Sequence, residues 1–227
     1  MYFCLFKNTA TMRPGPVRSF LLFMAIPMIL VGLVMLCPSC SRKNEISCEV
    51  LYDTNGLRNG DLMFRNGHGY ESRVVTDLSS GCYSHIGIAY HDGIRWCVIH
   101  AVPGEVEKGE KEFLKCEAIG DFFRPDRAKA GAYARVECSD SVAEAAALHA
   151  LRLVQRNVLF DNQYDLDDTS SLYCTELVRL VYSGCGIDLC ADRWHRAPLF
   201  TKKPVIYPED IWHSPLLSIK KPFETSR

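Results

Sequence analysis

The chain has 227 residues, 48% of them hydrophobic, with 26 basic and 27 acidic side chains and a formal net charge of −1. That apolar content supports a packed core and excludes a disordered chain. The charges are interspersed, without the basic stripe that tracks a nucleic-acid backbone, so that partner class is set aside.

The N-terminal end reads as an export device. Arg13 and Arg18 precede an apolar run from Phe20 to Cys37, and small and polar residues follow, the order of a signal segment. The run is longer than a typical secretory core and barely reaches the roughly 20 residues that span a bilayer. Pro27 and Gly32 interrupt it. Leu36-Cys37-Pro38-Ser39-Cys40-Ser41 resembles a bacterial lipoprotein cleavage site, with the lipid on Cys40, although Cys37 and Pro38 replace the usual aliphatic and small residues. An uncleaved helix and a soluble secreted form are the alternatives, and all three place the domain outside the cytoplasm. The organisation is then a signal, lipoprotein or anchor segment over 1–40, a linker over 41–56 and one domain over 57–227.

Of eleven cysteines, Cys4, Cys37 and Cys40 fall in the signal region, leaving eight at irregular spacing. Export permits disulfides, but spacing does not give their connectivity. No CxxC pair occurs outside the signal, so neither a structural zinc nor any other cofactor is expected.

In the domain, Arg58-Asn59-Gly60-Asp61 is a turn into a short strand, Leu62-Met63-Phe64, with Asp61 ordering the start of the sheet. Residues 65–82, rich in Gly, Ser and charge, predict a surface loop. Strand-like runs at Tyr83–Tyr90 and Arg95–Val102 flank His91-Asp92-Gly93-Ile94, a hairpin signal. A two-residue Asp92-Gly93 loop would make every cross-strand pair sum to 185, setting His85 opposite His100 on one face with Gly87, Ala89, Val98 and Trp96. Ile86, Ile88, Ile99 and Cys97 would take the reverse face. Residues 103–135 suggest a further strand or two. A helix follows, with Ser141-Val142-Ala143-Glu144 as its capping box and a body from Ala145 to Gln155. After a polar loop over 161–171, a second helix runs through Cys174-Thr175-Glu176-Leu177-Val178-Arg179-Leu180-Val181-Tyr182 and ends at Gly184 or Gly186. The Pro- and Lys-rich tail reads as an irregular wrap. The fold class is α+β, a small antiparallel sheet or half-barrel packed against helices.

Capped by Ser170 or Ser171, Cys174 falls in the first helical turn, where the dipole and unpaired N–H groups favour a thiolate. His85 on its strand is the base and His100 its orienter, the nucleophile–base–orienter arrangement of acyl transfer through a thioester. Taken singly, each of these residues also fits a structural role. Tyr164 and Tyr173 can line the cleft, Tyr173 as an oxyanion donor or either one as packing. Glu176 reads as a solvated charge or as an N-terminal helix charge favourable to the dipole. His68, His149, His195 and His213 show no partner logic.

The ordered set Arg58-Asn59-Gly60-Asp61-Leu62-Met63-Phe64, Tyr83-Ser84-His85-Ile86-Gly87 and Tyr173-Cys174-Thr175-Glu176-Leu177-Val178 resembles the permuted branch of the NlpC-type papain-like superfamily, in particular the YiiX-like group. The histidine strand precedes the cysteine helix, as in that branch, over roughly residues 57–213. The resemblance implies a papain-like fold with Cys174 as nucleophile and His85 as base. Its third polar residue, often Glu, falls here at His100, so register and resemblance select the same residue independently. The activity expected is an extracytoplasmic cysteine amidase or peptidase, with bacterial cell-wall peptides as the natural substrate. A hydrolase or acyltransferase of lipid-like acyl amides and esters is the first rival, and a non-catalytic binding lipoprotein of this fold the second. A zinc protein using His85, His100 and Cys174 is the most remote reading. The membrane is reached through the N-terminal anchor.

Overall fold

Period-two alternation in the middle of the chain produces most of a six-stranded antiparallel sheet: β2 (Leu62–Asn66), β3 (His85–His91), β4 (Trp96–His100), β5 (Lys115–Ala118), β6 (Ala130–Val136) and β7 (Leu217–Pro222), in the order β7-β6-β2-β3-β4-β5. The computed structural model describes residues 49–105, 107, 109–191, 193–196 and 203–226. The expected anchor over 1–40 and its Cys40 lie outside the described residues. Among those described, no helix is long and apolar enough to cross a membrane.

Each sheet face buries its own core. Leu62, Phe64, Ile86, Ile88 and Ile99 point to the helical side. There α3 (Asp140–Gln155) contributes Ala143, Ala146, Ala147 and Ala150, and α4 (Cys174–Ser183) contributes Leu177, Val178 and Val181. Alanines on α3 let the helices approach closely, while each large aliphatic side chain buried from α4 contributes about 1.5–3 kcal/mol. The reverse face carries Met63, Ala89, Val98 and Tyr133 against Phe122, Phe123, Phe223 and Val50. Phe122 ends the short α2 (Ile119–Phe122). The arrangement is α+β, as the sequence implies.

The β3–β4 hairpin corrects the expected register. Ile88 pairs with Ile99 and His91 with Trp96, so pairs sum to 187 and the loop is the four residues Asp92–Arg95. Asp92 Oδ1 accepts from the backbone N–H groups of Ile94 and Arg95, both at 2.8 Å, and Gly93 takes φ +96°. That side-chain wrap closes a longer turn than a two-residue loop allows. A slip of two residues preserves side-chain faces, whereas a slip of one would have inverted them. His100 therefore keeps the face of His85, but stands opposite Gly87.

Four other expectations change. Residues 70–79 form a helix, α1 (Tyr70–Ser79), within the expected surface loop, and none of its side chains is buried. Ser139 caps α3 by accepting from Val142 N, ahead of the expected Ser141 box. Glu144 is diverted to Asn59 Nδ2 at 2.7 Å. The tail supplies α5 (Pro208–Trp212) and β7, which pairs with the outer edge of β6 and satisfies its backbone groups. The folded part also begins before residue 57. Strand β1 (Glu49–Leu51), inside the expected linker, pairs with β8 (Glu224–Ser226) and buries Val50.

Asp61 orders the turn as expected and does more. Fully buried, it accepts from the Arg58 backbone N–H at 3.0 Å and from the Arg135 guanidinium at 2.9 and 2.7 Å.

Candidate active site

Three polar side chains run diagonally across the sheet edge. In the observed registers Gly87 lies nearest His100, while His100 pairs with Lys115 and Val98 with Glu117. His85, His100 and Glu117 thus each sit one diagonal step along, a separation that long side chains bridge. His85 Nε2 is 2.8 Å from His100 Nδ1, and His100 Nε2 is 2.9 Å from Glu117 Oε1. Phe122 packs edge-on against His100, with ring centroids 5.0 Å apart, and also touches His85, which fixes both rings.

The charge state of Glu117 dictates the tautomers. Burial pushes its carboxyl up, but the His100 bond, with Lys115 and Arg127, outweighs that and holds it at about 2. A carboxylate can only accept, so His100 carries its proton on Nε2. Burial pulls His100 down to about 4, so near neutrality it is uncharged and its Nδ1 is a lone pair. His85 must then donate from Nε2. Burial, with Arg65 and His100, holds His85 well below its ordinary value, which leaves its Nδ1 as a free base.

Cys174 opens α4, directly after Tyr173 at the N-cap. The first-turn position is as expected; Tyr173, not Ser170 or Ser171, precedes it. The thiolate expectation is corrected. The thiol faces the backbone N–H groups of Ile86, Thr175 and Cys174 itself, all of which favour the anion, yet burial prevails and pushes it up to about 11. The residue keeps some surface on a cavity wall, but the protein around the sulfur is too dense for an isolated charge. Near neutral pH, thiol and imidazole are both uncharged.

His85, Cys174, Tyr164 and Tyr173 all line one cavity of about 490 Å³. Its apolar wall includes Val75 and Leu78 of α1 together with Phe160, Val205 and Ile206. The Tyr173 hydroxyl accepts from Ile206 N–H at 3.1 Å, which anchors the ring on the cavity wall without using the hydroxyl's own proton. Tyr164 is held differently. Asp161 accepts from the backbone N–H groups of Gln163 and Asp165, at 2.7 and 2.5 Å, and drives Tyr164 to φ +55°. A bulky side chain rarely adopts that conformation. Here it packs the ring on Tyr173, with centroids 5.2 Å apart, close enough to Cys174 for the two to influence each other electrostatically.

Two groups escaped the sequence reading. Glu117 was hidden because Lys115-Cys116-Glu117-Ala118 is too short to fix a register without partners. Arg65, 4% exposed, pairs across the sheet with His85. Its guanidinium lies 4.7 Å from the Phe122 ring centroid and donates to Phe122 O and Glu105. The run Leu62-Met63-Phe64-Arg65 signals it weakly, as a charge on an otherwise apolar strand. Glu176 is buried, not solvated. Its Oε2 accepts from Tyr173 N–H, and burial pushes it up to about 8, so it is a neutral cap near pH 7.

No protein-family model and no curated protein matches the chain. Among solved structures, the metalloprotein YiiX from Escherichia coli O157:H7 superposes with a TM-score of 0.58 at 17% identity, covering 75% of this chain and 96% of its own. The chain has the YiiX fold. In this chain β3, which carries His85, precedes α4, which opens with Cys174, the order of the sequence motifs.

Proposed function

We propose that this chain is a cysteine hydrolase acting by acyl transfer, with Cys174 as nucleophile, His85 as base, His100 as orienter and Glu117 anchoring the relay. The carrying observation is the continuous bond sequence His85–His100–Glu117, which leaves Nδ1 of His85 as a lone-pair base in the cavity that Cys174 lines.

Because both partners rest uncharged, the Cys174 proton passes to His85 as sulfur attacks the carbonyl. The emerging imidazolium is stabilised through Nε2–H to His100 and on to Glu117, a general-base role worth roughly 10²–10⁴-fold. N–H groups of the first turn of α4 would hold the oxyanion, with Tyr164 and Tyr173 on the cavity wall as further candidate donors. The leaving amine takes the proton back from His85, and water then releases the acid from the thioester. Amide or peptide substrates outside the cytoplasm, cell-wall peptides among them, fit this chemistry. The apolar wall formed with α1 favours a second reading, a lipid-like acyl amide or ester.

The neighbour is described as a metalloprotein. The donor set here does not fit a metal: the facing nitrogens of His85 and His100 are bonded to each other and His100 Nε2 to Glu117. Among the described residues no group of three or more His, Cys, Asp or Glu could hold an ion.

The test is trapping of an acyl-enzyme with p-nitrophenyl butyrate, read by peptide mass spectrometry. The acyl group should sit on Cys174, be released by hydroxylamine and disappear in Cys174→Ala. In His85→Ala it should form at least 100-fold more slowly. Acylation spread over exposed Cys82, indifferent to His85, would overturn the reading.

A further inference from the structure

Behind the relay, three cations converge on two carboxylates. Glu117 Oε2 accepts from Arg127 at 2.9 Å and faces Lys115 Nζ at 3.5 Å, while its Oε1 is committed to His100. Glu105 spreads its oxygens over the same cations: Oε1 accepts from Arg65 at 2.5 Å, and Oε2 accepts from Lys115 at 2.5 Å and lies 3.1 Å from Arg127.

The two carboxylates are not equivalent. Glu117 is fixed on a strand. Glu105 comes from residues 101–105, which have no helix or strand, next to Gly104 at φ +72°. Glu105, Arg65 and Arg127 all line the cavity that holds Cys174. With Glu105 withdrawn, a buried guanidinium would lose its charge partner, a state that demands another anion. The planar two-oxygen span from Arg65 to Lys115 and Arg127 is shaped for a carboxylate.

We propose that Arg65, Lys115 and Arg127 form a carboxylate subsite, occupied at rest by the chain's own Glu105 and taken over by a substrate carboxylate. This rests on the hydrolase reading and narrows it: the preferred substrate is an acyl amide whose reacting end carries a free carboxylate. Because Lys115 and Arg127 also hold Glu117, an arriving carboxylate exchanges with Glu105 without disturbing the relay.

The test uses the full chain with Cys174→Ala, titrated calorimetrically with N-acetylglycine and with N-acetylglycinamide. The acid should bind at least tenfold more tightly than the amide, and high salt should erase the difference. Adding Glu105→Gln should tighten the acid a further tenfold and leave the amide unchanged. Adding Arg127→Gln should bring the two affinities together, and Arg127→Lys should keep part of the preference if the glutamine variant fails to fold. Equal affinities, binding of neither compound, or indifference to Glu105→Gln would overturn the subsite. Acyl trapping on the intact protein is read separately, so loss of the subsite alone leaves the nucleophile assignment standing, and the reverse also holds.

Discussion

At the scale of single residues, burial decides the chemistry. A cysteine at a helix start gains from the dipole, yet here desolvation is the larger effect and raises the thiol to about 11. Alkylation of Cys174 by iodoacetamide is therefore expected to have its midpoint near that pH, well above the 8.5 or so of an ordinary thiol. A midpoint below pH 8, lost in His85→Ala, would instead reveal a resting ion pair. Glu117 acts at one remove, by fixing tautomers. Glu117→Gln offers His100 a side chain that can also donate, which permits the wrong tautomer of both rings. The expected result is a rate loss of about 10²-fold with KM little changed, smaller than removal of a directly bonded orienter, which reaches about 10⁴. Steady-state kinetics on a p-nitrophenyl ester checks this, and an unchanged kcat would remove Glu117 from the relay.

At the scale of elements, the site depends on how closely β3 and β4 lie. Gly87 stands opposite His100, and a Cβ there would meet Val98 Cγ1 at 2.5 Å, Ile99 O at 2.9 Å and His100 Cβ at 3.0 Å. Two of these contacts belong to Ile99 backbone and the His100 stem, which cannot swing aside. Gly87→Ala should push β4 away from β3, costing about 1–3 kcal/mol in denaturant unfolding and breaking the His85–His100 bond. Activity should fall by more than the stability loss explains. Full activity in a folded Gly87→Ala protein would show that the spacing is not needed. Helix α1 is the contrasting element. It contributes Val75 and Leu78 to the cavity wall yet buries no side chain, so hydrogen exchange there should be the fastest of the long helices.

At the scale of the whole molecule, the relay makes the fold sensitive to acid. His85 and His100 are held neutral by burial, His100 down to about 4, while in the unfolded chain both titrate near 6.5. Between those values the unfolded state binds more protons, so stability is full above pH 6.5 and declines as pH falls toward 4. Glu117 adds a later loss of the same sign, since its depressed carboxyl stabilises the fold above its unfolded value near 4.5 and ceases to do so as pH approaches 2. Urea midpoints should drop between pH 7 and pH 4.5, and His100→Gln should flatten part of that slope. A pH-independent midpoint over this range would mean that the histidines are solvated.

Local rules carried much of this protein. The alternation of Ile86, Ile88 and Ile99 against Gly87, Ala89 and Val98 determined the two sheet faces. The spacing of Leu177 and Val181, with Gly184 after them, determined the α4 helix and its end. These are neighbour effects, settled within a few residues. Because strand faces repeat every two residues, even a mistaken hairpin loop left His85 and His100 together. Tertiary structure alone decided the rest. Glu117 joins the relay only because β5 pairs with β4 in one register, and Arg65 reaches the site only because β2 lies beside β3. The protonation of Cys174 was likewise out of reach of the sequence, since desolvation is a property of everything packed around a group and not of the residues next to it in the chain.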